Sequence, residues 1–350
     1  MSDKQFDFLI YIGRMEPPTH AHIANIKTAL NLAEKVIILF GSSFQPRTIK
    51  NPWSWTERAV MVSNQLPAVN HPQLIFQGLH DHRYSDTSWA QEVQAIVKRV
   101  TRGKHNPKIG ILGCKKDHTS YYLDFFPQWE FVETSIIADV NASDVRDLYF
   151  SGRLFQWRDK DLIDGKLQLY LQNWAQTPEY TQLVDEWNTI EKYKAAWEIA
   201  PYAPTFVTTD AVVIQSGHIL LIQRKASPGR GLWALPGGFV NQHERLFDGC
   251  IRELHEETRL KVPDPVLKGS VKGKEVFDFP SRSLRGRTIT HAWAFELRSG
   301  ELAPVKGSDD AAKAQWFPID DVLEMEEHIF EDHGDIIKWA LTVCGTNTTY

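Results

Sequence analysis

The sequence predicts an α/β chain of two domains, a doubly wound parallel sheet followed by an α+β domain. Three observations predict it. Short apolar runs alternate with helical patterning over residues 6–112, this gives way near residue 200 to β-branched runs around a tight turn, and 350 residues exceed one ordinary core of about 100 to 200.

Residues 6–12 (FDFLIYI) are the first strand, ending at Gly13. After Pro17-Pro18, the segment 20–35 places Ile23, Ile26, Leu30 and Ala33 at helical spacing, and Val36 to Phe40 follow as a second strand. Parallel strands need such a crossover helix. Helical patterning at 56–66 and 88–100 then alternates with strand-like runs at 74–76 and 109–112. Ligands of such sheets bind beyond the carboxyl ends of strands, so the loops after Gly13 and Gly113 are where chemistry is expected. From about 153 to 200 the chain is rich in Trp, Leu, Tyr, Lys and Glu and reads as helices, stopped by Pro201 and Pro204. Runs at 206–214 and 218–223 around Ser216-Gly217 read as a β-hairpin, followed by a helix at 244–259, strands at 288–297 and 314–317, and C-terminal helices. The expected division is a first domain over 1–180, a helical linker over 181–202 and a second domain over 203–350.

Composition narrows the function classes. With 42% apolar and 24% charged residues the chain is globular rather than disordered. Its formal charge of −5 disfavours bulk nucleic-acid binding and leaves small anionic substrates open. The 3 cysteines, Cys114, Cys250 and Cys344, are odd in number and far apart, which suggests neither a disulfide framework nor a cysteine zinc site and fits a reducing cytoplasm. No secretory signal or bilayer-spanning stretch is apparent, so neither export nor membrane insertion is expected.

The second half carries the densest chemistry. Glu253, Glu256 and Glu257 stand at i, i+3 and i+4 and share one helical face. Two such charges about 5 Å apart repel by roughly 3 kcal/mol at an effective dielectric near 20, so a partly buried cluster calls for hard divalent cations, Mg²⁺ or Mn²⁺. A solvated acidic face is the bland alternative, but it explains neither Gly238 and Glu244 upstream nor the loop Trp233-Ala234-Leu235-Pro236-Gly237-Gly238. Gly238, Glu244, Arg252-Glu253-Leu254-His255-Glu256-Glu257 and Leu260 together closely resemble the Nudix box, with Arg259 in place of its final glycine. That glycine ends the helix at positive φ, which costs another residue on the order of 1 kcal/mol. The resemblance implies hydrolysis of a nucleoside diphosphate derivative, with Glu253 and Glu257 as metal ligands and Glu256 as ligand or base; the base varies within the family. Downstream, Arg282, Arg285 and Arg287 supply cations suited to phosphates or ribose edges, or line an ordinary basic loop. Their segment resembles that of ADP-ribose pyrophosphatases.

In the first half, Gly13-Arg14-Met15-Glu16-Pro17-Pro18-Thr19-His20-Ala21-His22 lies between strand and helix, where amides and the positive helix terminus receive phosphates. His22 in the first turn suits the α/β-phosphate region, and Arg14 or a neighbouring cation offsets growing charge. The segment resembles the first motif of the nucleotidylyltransferase superfamily, with Thr19 and His22 at its polar positions and Met15 and Ala21 replacing its usual Phe and Gly. Ser143 and Arg146, three apart at a helix start, resemble its second phosphate motif. Gly41-Ser42-Ser43, Lys50-Asn51-Pro52 with Thr56-Glu57-Arg58, and Gly113-Cys114-Lys115-Lys116-Asp117 resemble, in order, segments of archaeal-type nicotinamide-mononucleotide adenylyltransferases. The whole chain resembles the bifunctional adenylyltransferase/Nudix family over residues 6–340.

That resemblance implies a Rossmann-like nucleotidylyltransferase domain and an α+β Nudix domain. It implies Mg²⁺-dependent in-line attack of nicotinamide mononucleotide on ATP, giving NAD and pyrophosphate, and hydrolysis of ADP-ribose to AMP and ribose 5-phosphate. Gly13, Arg14, Thr19, Ser42, Asn51, Asp117 and Ser143 are its candidate nucleotide contacts, His22 and Arg146 its catalytic pair. Trp89 stacks on nicotinamide or sits in the core. His80-Asp81-His82 has a metal-like look but reads as a polar loop. A different acceptor, or a nucleotide sensor with an inactive Nudix domain, are the alternatives; intact Glu253, Glu256 and Glu257 argue against the sensor. A DNA-binding regulator is disfavoured by the acidic segment 320–345.

Overall fold

The structure is a computed structural model and describes residues 4–114, 118–134, 141–154, 163–308 and 310–345. The chain divides into two compact units, Met1–Val184 and Asp185–Tyr350.

The first unit holds β1 (Phe6–Gly13), α1 (His20–Leu32), β2 (Ala33–Phe40), α2 (Trp55–Asn64), β3 (Leu74–Gly78), α3 (Asp86–Thr101), β4 (Ile109–Gly113), β5 (Glu130–Glu133), α4 (Ala142–Phe150) and α5 (Gly165–Trp174). Helix α6 (Pro178–Ala195) contains the division. The sheet runs β3-β2-β1-β4-β5, parallel throughout. The chain winds outward from β1 to β3 and returns to β4, so β1 and β4 are neighbours and their carboxyl ends form the switch-point crevice where ligands bind.

Both sheet faces are covered, which is why FDFLIYI reads as a nearly continuous apolar run. Phe6, Leu9 and Tyr11 pack with Ile23, Ile26 and Leu30 of α1 and Val62 of α2. Phe8 and Ile10 pack with Val93, Ile96 and Val97 of α3 on the other side. Ala33 departs from the expected helix over 20–35: it is extended at φ −124°, ψ 153° and pairs with Phe6, because sheet burial outweighs its helical propensity. Strand β5 escaped the sequence pattern, being 4 residues long with a glutamate at each end.

The second unit holds β6 (Thr205–Gln215), β7 (His218–Arg224), β8 (Trp233–Ala234), β9 (Gly237–Phe239), α7 (Leu246–Thr258), α8 (Asp264–Gly269), β10 (Val271–Phe277), β11 (Arg287–Glu296), β12 (Ala311–Pro318), α9 (Ile319–Glu324) and α10 (His333–Val343). Its sheet runs β10-β11-β6-β7-β12, with β8 on β7 and β9 on β6; β11 and β6 are parallel and the other pairs antiparallel. The β6–β7 hairpin turns through Ser216 at φ 47° and Gly217 at φ 73°, the paired positive values that match strand twist. Helix α7 covers one face through Cys250, Ile251 and Leu254 against Ala211, Val213 and Leu220. Helix α10 covers the other through Ile336, Ile337, Ala340 and Leu341 against Val212, Ile214 and Leu221. Strands β8 and β9 are too short to show periodicity, and β10 is mostly exposed, so none of the three was foreseen. Among the described residues, no helix is long and apolar enough to cross a membrane.

Candidate active sites

At the β1–α1 junction, buried Thr19 is the N-cap of α1, and His22 turns back onto it. His22 Nδ1 accepts the Thr19 N–H at 3.0 Å and lies 2.8 Å from Thr19 Oγ1. A ring nitrogen that accepts leaves the proton on the other, so Nε2 is a donor at the positive end of the helix. Helix α4 places Ser143 and Arg146 together: Arg146 Nη2 donates to Ser143 Oγ at 3.1 Å and Nη1 to the Glu16 carbonyl. The two phosphate-type motifs, far apart in sequence, are therefore hydrogen-bonded to each other.

Arg58 holds the crevice walls in place. Its Nη1 donates to the carbonyls of Arg14 at 2.5 Å and Gly41 at 2.8 Å, its Nη2 to Ser43 Oγ at 3.2 Å, and its Nε lies 3.2 Å from Glu16 Oε1. Burial pushes the Glu16 carboxyl up to about 8 despite Arg58. Burial, then Arg14, brings the Lys50 ammonium down to about 8. Burial likewise lowers Arg58 and Arg146. Cations crowded out of water in this way favour an anionic ligand.

The remaining candidates fall around this cluster. Gly13 ends β1 where a Cβ would meet Met15 Cε at 3.3 Å, and Arg14 is exposed. Ser42, at φ 52°, donates its N–H at 2.9 Å and its hydroxyl at 3.0 Å to Asp81, so its side chain braces the β3 loop. Asn51 Oδ1 is buried with no hydrogen-bond partner. Trp89 is half-buried against Tyr122 and Phe126, at ring separations of 5.6 and 5.9 Å. Asp117, with Lys115 and Lys116, lies outside the described residues.

In the second unit the acidic helix α7 packs against strand β9. Glu257, 6% exposed, accepts the Gly237 N–H at 2.9 Å. A Cβ on Gly238 would lie 2.6 Å from the Glu253 carboxyl, and one on Gly237 only 2.1 Å from the Thr209 carbonyl, so close approach demands both glycines. Arg252 ties the rim: Nε and Nη2 donate to Glu244 at 2.9 and 2.6 Å, and Nη1 to Glu253 at 2.7 Å and Glu256 at 2.9 Å. Burial pushes Glu257 up to about 8 and also raises Glu253. The Arg252 hydrogen bonds bring Glu244 down to about 2. Glu253 and Glu257, oxygen donors that burial holds back from ionising until a cation arrives, fit a hard divalent metal. Arg259 ends α7 at φ 49°, ψ 32°, the conformation expected of a glycine there.

Residues 10–70 match the cytidylyltransferase-like family and residues 204–340 the NUDIX domain family. A nicotinamide/nicotinic acid mononucleotide adenylyltransferase of Acinetobacter baylyi is 31% identical over 192 residues, 55% of this chain and 95% of that protein. An ADP-ribose pyrophosphatase of Methanocaldococcus jannaschii is 31% identical over 159 residues, 45% of this chain and 83% of that protein. A solved bifunctional NMN adenylyltransferase/ADP ribose pyrophosphatase from Francisella tularensis, complexed with AMP and Mn ion, spans both halves: it is 34% identical, with a TM-score of 0.90 over 97% of this chain and 100% of that one. This chain belongs to the bifunctional NMN adenylyltransferase/ADP-ribose pyrophosphatase family.

For a member of this family, the three downstream arginines are placed unequally. Arg282, expected to face a phosphate, closes its fork on buried Asp332 at 2.8 and 2.7 Å, because that carboxylate at the start of α10 has no access to water. Arg285 lies over the Phe239 ring at 5.0 Å, and Arg287 donates to the Asp278 carbonyl. His333, beside Asp332, accepts the Leu235 N–H at 2.8 Å and so braces the Trp233–Gly238 loop. Sequence reasoning assigned no role to Arg58, Glu16 or His333. One signal was available for Arg58: it shares a helical face with buried Met61 and Val62, and an arginine on a core-facing stripe needs internal partners.

Proposed function

We propose that the chain makes NAD and pyrophosphate from nicotinamide mononucleotide and ATP in its first unit, and hydrolyses ADP-ribose to AMP and ribose 5-phosphate in its second. The reading is supported above all by one observation: a phosphate-type crevice and a glycine-backed acidic helix in one chain, matched end to end by a 34%-identical bifunctional enzyme.

In the first unit a mononucleotide phosphate oxygen attacks the α-phosphorus of ATP in line, and the bond to pyrophosphate breaks. His22 Nε2 donates to the α/β-phosphate oxygens. Arg146, Arg14 and Lys50 offset the charge that grows on the departing pyrophosphate. Gly13, Thr19 and Ser143 shape the phosphate cradle, Asn51 offers its buried amide oxygen, Ser42 holds the crevice wall, and Trp89 belongs to the nucleotide pocket. In the second unit water attacks one phosphorus of the diphosphate, the bond from that phosphorus to the bridging oxygen breaks so that AMP and ribose 5-phosphate separate, and the proton of the water passes to one of the box glutamates. Glu253, Glu256 and Glu257 would hold a divalent cation, Mg²⁺ or Mn²⁺, which would neutralise the diphosphate and acidify neighbouring water. Gly238 lets Glu253 reach the site, Arg285 and Arg287 face the substrate's phosphates or ribose, and Arg282 positions the loop through Asp332. The cysteine usage, with Cys114, Cys250 and Cys344 odd in number and far apart in sequence, accords with work in a reducing cytoplasm.

The test offers the purified chain Mg²⁺ with nicotinamide mononucleotide and ATP in one reaction and ADP-ribose in another. NAD with equimolar pyrophosphate, and AMP with ribose 5-phosphate, are expected. Absence of NAD refutes the acceptor assignment, and intact ADP-ribose refutes the hydrolase.

A further inference from the structure

Neither proposed reaction uses the imidazoles of His80 and His82, which follow β3. The fold brings a third residue to them. Glu92, on α3, lies with Oε1 2.7 Å from His80 Nδ1 and Oε2 2.6 Å from His82 Nε2. One donor atom from each of the three residues falls within 4.8 Å of the others.

We propose that His80, His82 and Glu92 bind a single transition-metal ion of the zinc class, with water completing a four-coordinate site. Two imidazoles and one carboxylate suit zinc, whereas magnesium takes oxygen ligands and keeps its waters. Bonds of about 2.0 to 2.2 Å in a tetrahedron place donor atoms roughly 3.4 Å apart. The N···O distances of 2.6 and 2.7 Å need to open by about 0.7 to 0.8 Å, within the reach of side-chain rotation. Each imidazole then carries its proton on the nitrogen away from the ion.

The ligand frame is built before any ion arrives. Asp81, between the histidines, is held by Ser42 and by Gln45 Nε2 at 2.7 Å. The His82 carbonyl accepts the Ser85 N–H at 2.9 Å, and the His80 ring stacks on Phe44 with centroids 4.5 Å apart. The His80, His82 and Glu92 side chains are 39, 31 and 22% exposed, which leaves the ion a path from solution. The ion clamps the β3 loop to α3 and, through Asp81, braces Ser42 at the crevice wall.

The experiment titrates Co²⁺ into the chelator-treated full chain bearing Glu253→Gln and Glu257→Gln, which silence the acidic helix. One equivalent with the visible absorption of four-coordinate Co²⁺, abolished by Zn²⁺, is expected. His80→Ala, Glu92→Ala and His82→Gln each weaken it by about 100-fold or more. His82→Gln keeps a donor for Glu92, so lost Co²⁺ binding with an unchanged metal-free melting temperature separates a metal ligand from a structural hydrogen bond. No bound equivalent, or Co²⁺ affinity unchanged in His80→Ala and Glu92→Ala, overturns the site.

Discussion

In the proposed reactions the β1–α1 junction and helix α7 meet the same chemical object, a phosphate anhydride, with opposite charge. At the junction the polypeptide supplies the positive charge itself: Arg14, Lys50 and Arg146 gather beside a helix N-terminus, and burial lowers the Lys50 ammonium. At α7 it supplies carboxylates, and burial raises Glu257 and Glu253. Each site thus holds like charges under strain that the ligand relieves, an anion in one case and a cation in the other.

The hardest test of this contrast is crossed loss of activity. His22→Ala removes the donor at the helix terminus and should lower NAD synthesis by about 10²- to 10³-fold, the usual cost of a lost transition-state donor. Hydrolysis of ADP-ribose should stay within twofold. Glu257→Gln should lower hydrolysis by about 10³-fold or more and leave synthesis intact. Steady-state rates on both substrates, with circular dichroism as a check on folding, decide it; parallel loss of both activities in a folded variant breaks the separation.

How much of this could be read from the sequence follows from the same contrast. The Nudix-type site was legible because its determinants lie within 25 residues or so, where helical spacing alone puts Glu253, Glu256 and Glu257 on one face. The first site is assembled from segments as distant as Glu16 and Arg146, so its motifs could be named but not their mutual bonds. Arg282 misled for a related reason: its partner, Asp332, is 50 residues away, and a buried ion pair looks in sequence like a free cation. Glu92 was invisible beside His80 and His82 because only the return of α3 along the sheet brings it there. The doubly wound fold class was legible because parallel strands buried on both faces leave apolar runs, while β5, β8 and β9 are too short to do so.

A pH experiment sharpens the contrast at the second site, where burial raises a carboxyl. Without metal, the native state keeps the Glu257 proton up to about pH 8, whereas the unfolded chain releases it near its ordinary 4.5. Between those values the native state holds the extra proton, so raising pH favours unfolding, by at most about 1.4 kcal/mol per pH unit from this group. Thermal melts in chelator from pH 5.5 to 8.5 should show wild type losing stability relative to Glu257→Gln, which lacks the proton. Saturating Mg²⁺ should abolish the difference, since its binding favours the ionised carboxylate, and apparent Mg²⁺ affinity should climb up to tenfold per unit towards pH 8. Superimposable profiles for the two proteins in chelator would remove Glu257 as the strained carboxyl.

The smallest effect concerns backbone strain, which both sites contain. Met15 and Ser42 at the first and Arg259 at the second adopt φ values of 54, 52 and 49°. Arg259 is the separable case, because its φ ends α7 two residues beyond Glu257 and its N–H bonds the His255 carbonyl at 2.9 Å whatever the side chain. A left-handed residue with a Cβ costs about 1 kcal/mol, and glycine is exempt. Arg259→Gly should therefore raise the melting transition of the second unit by about 2 to 4 °C and leave ADP-ribose hydrolysis within twofold. Arg259→Ala retains the Cβ and should gain nothing. Equal gains in the two variants would locate the cost in the arginine side chain rather than in φ, and the helix end would then owe its position to contacts instead of to tolerated strain.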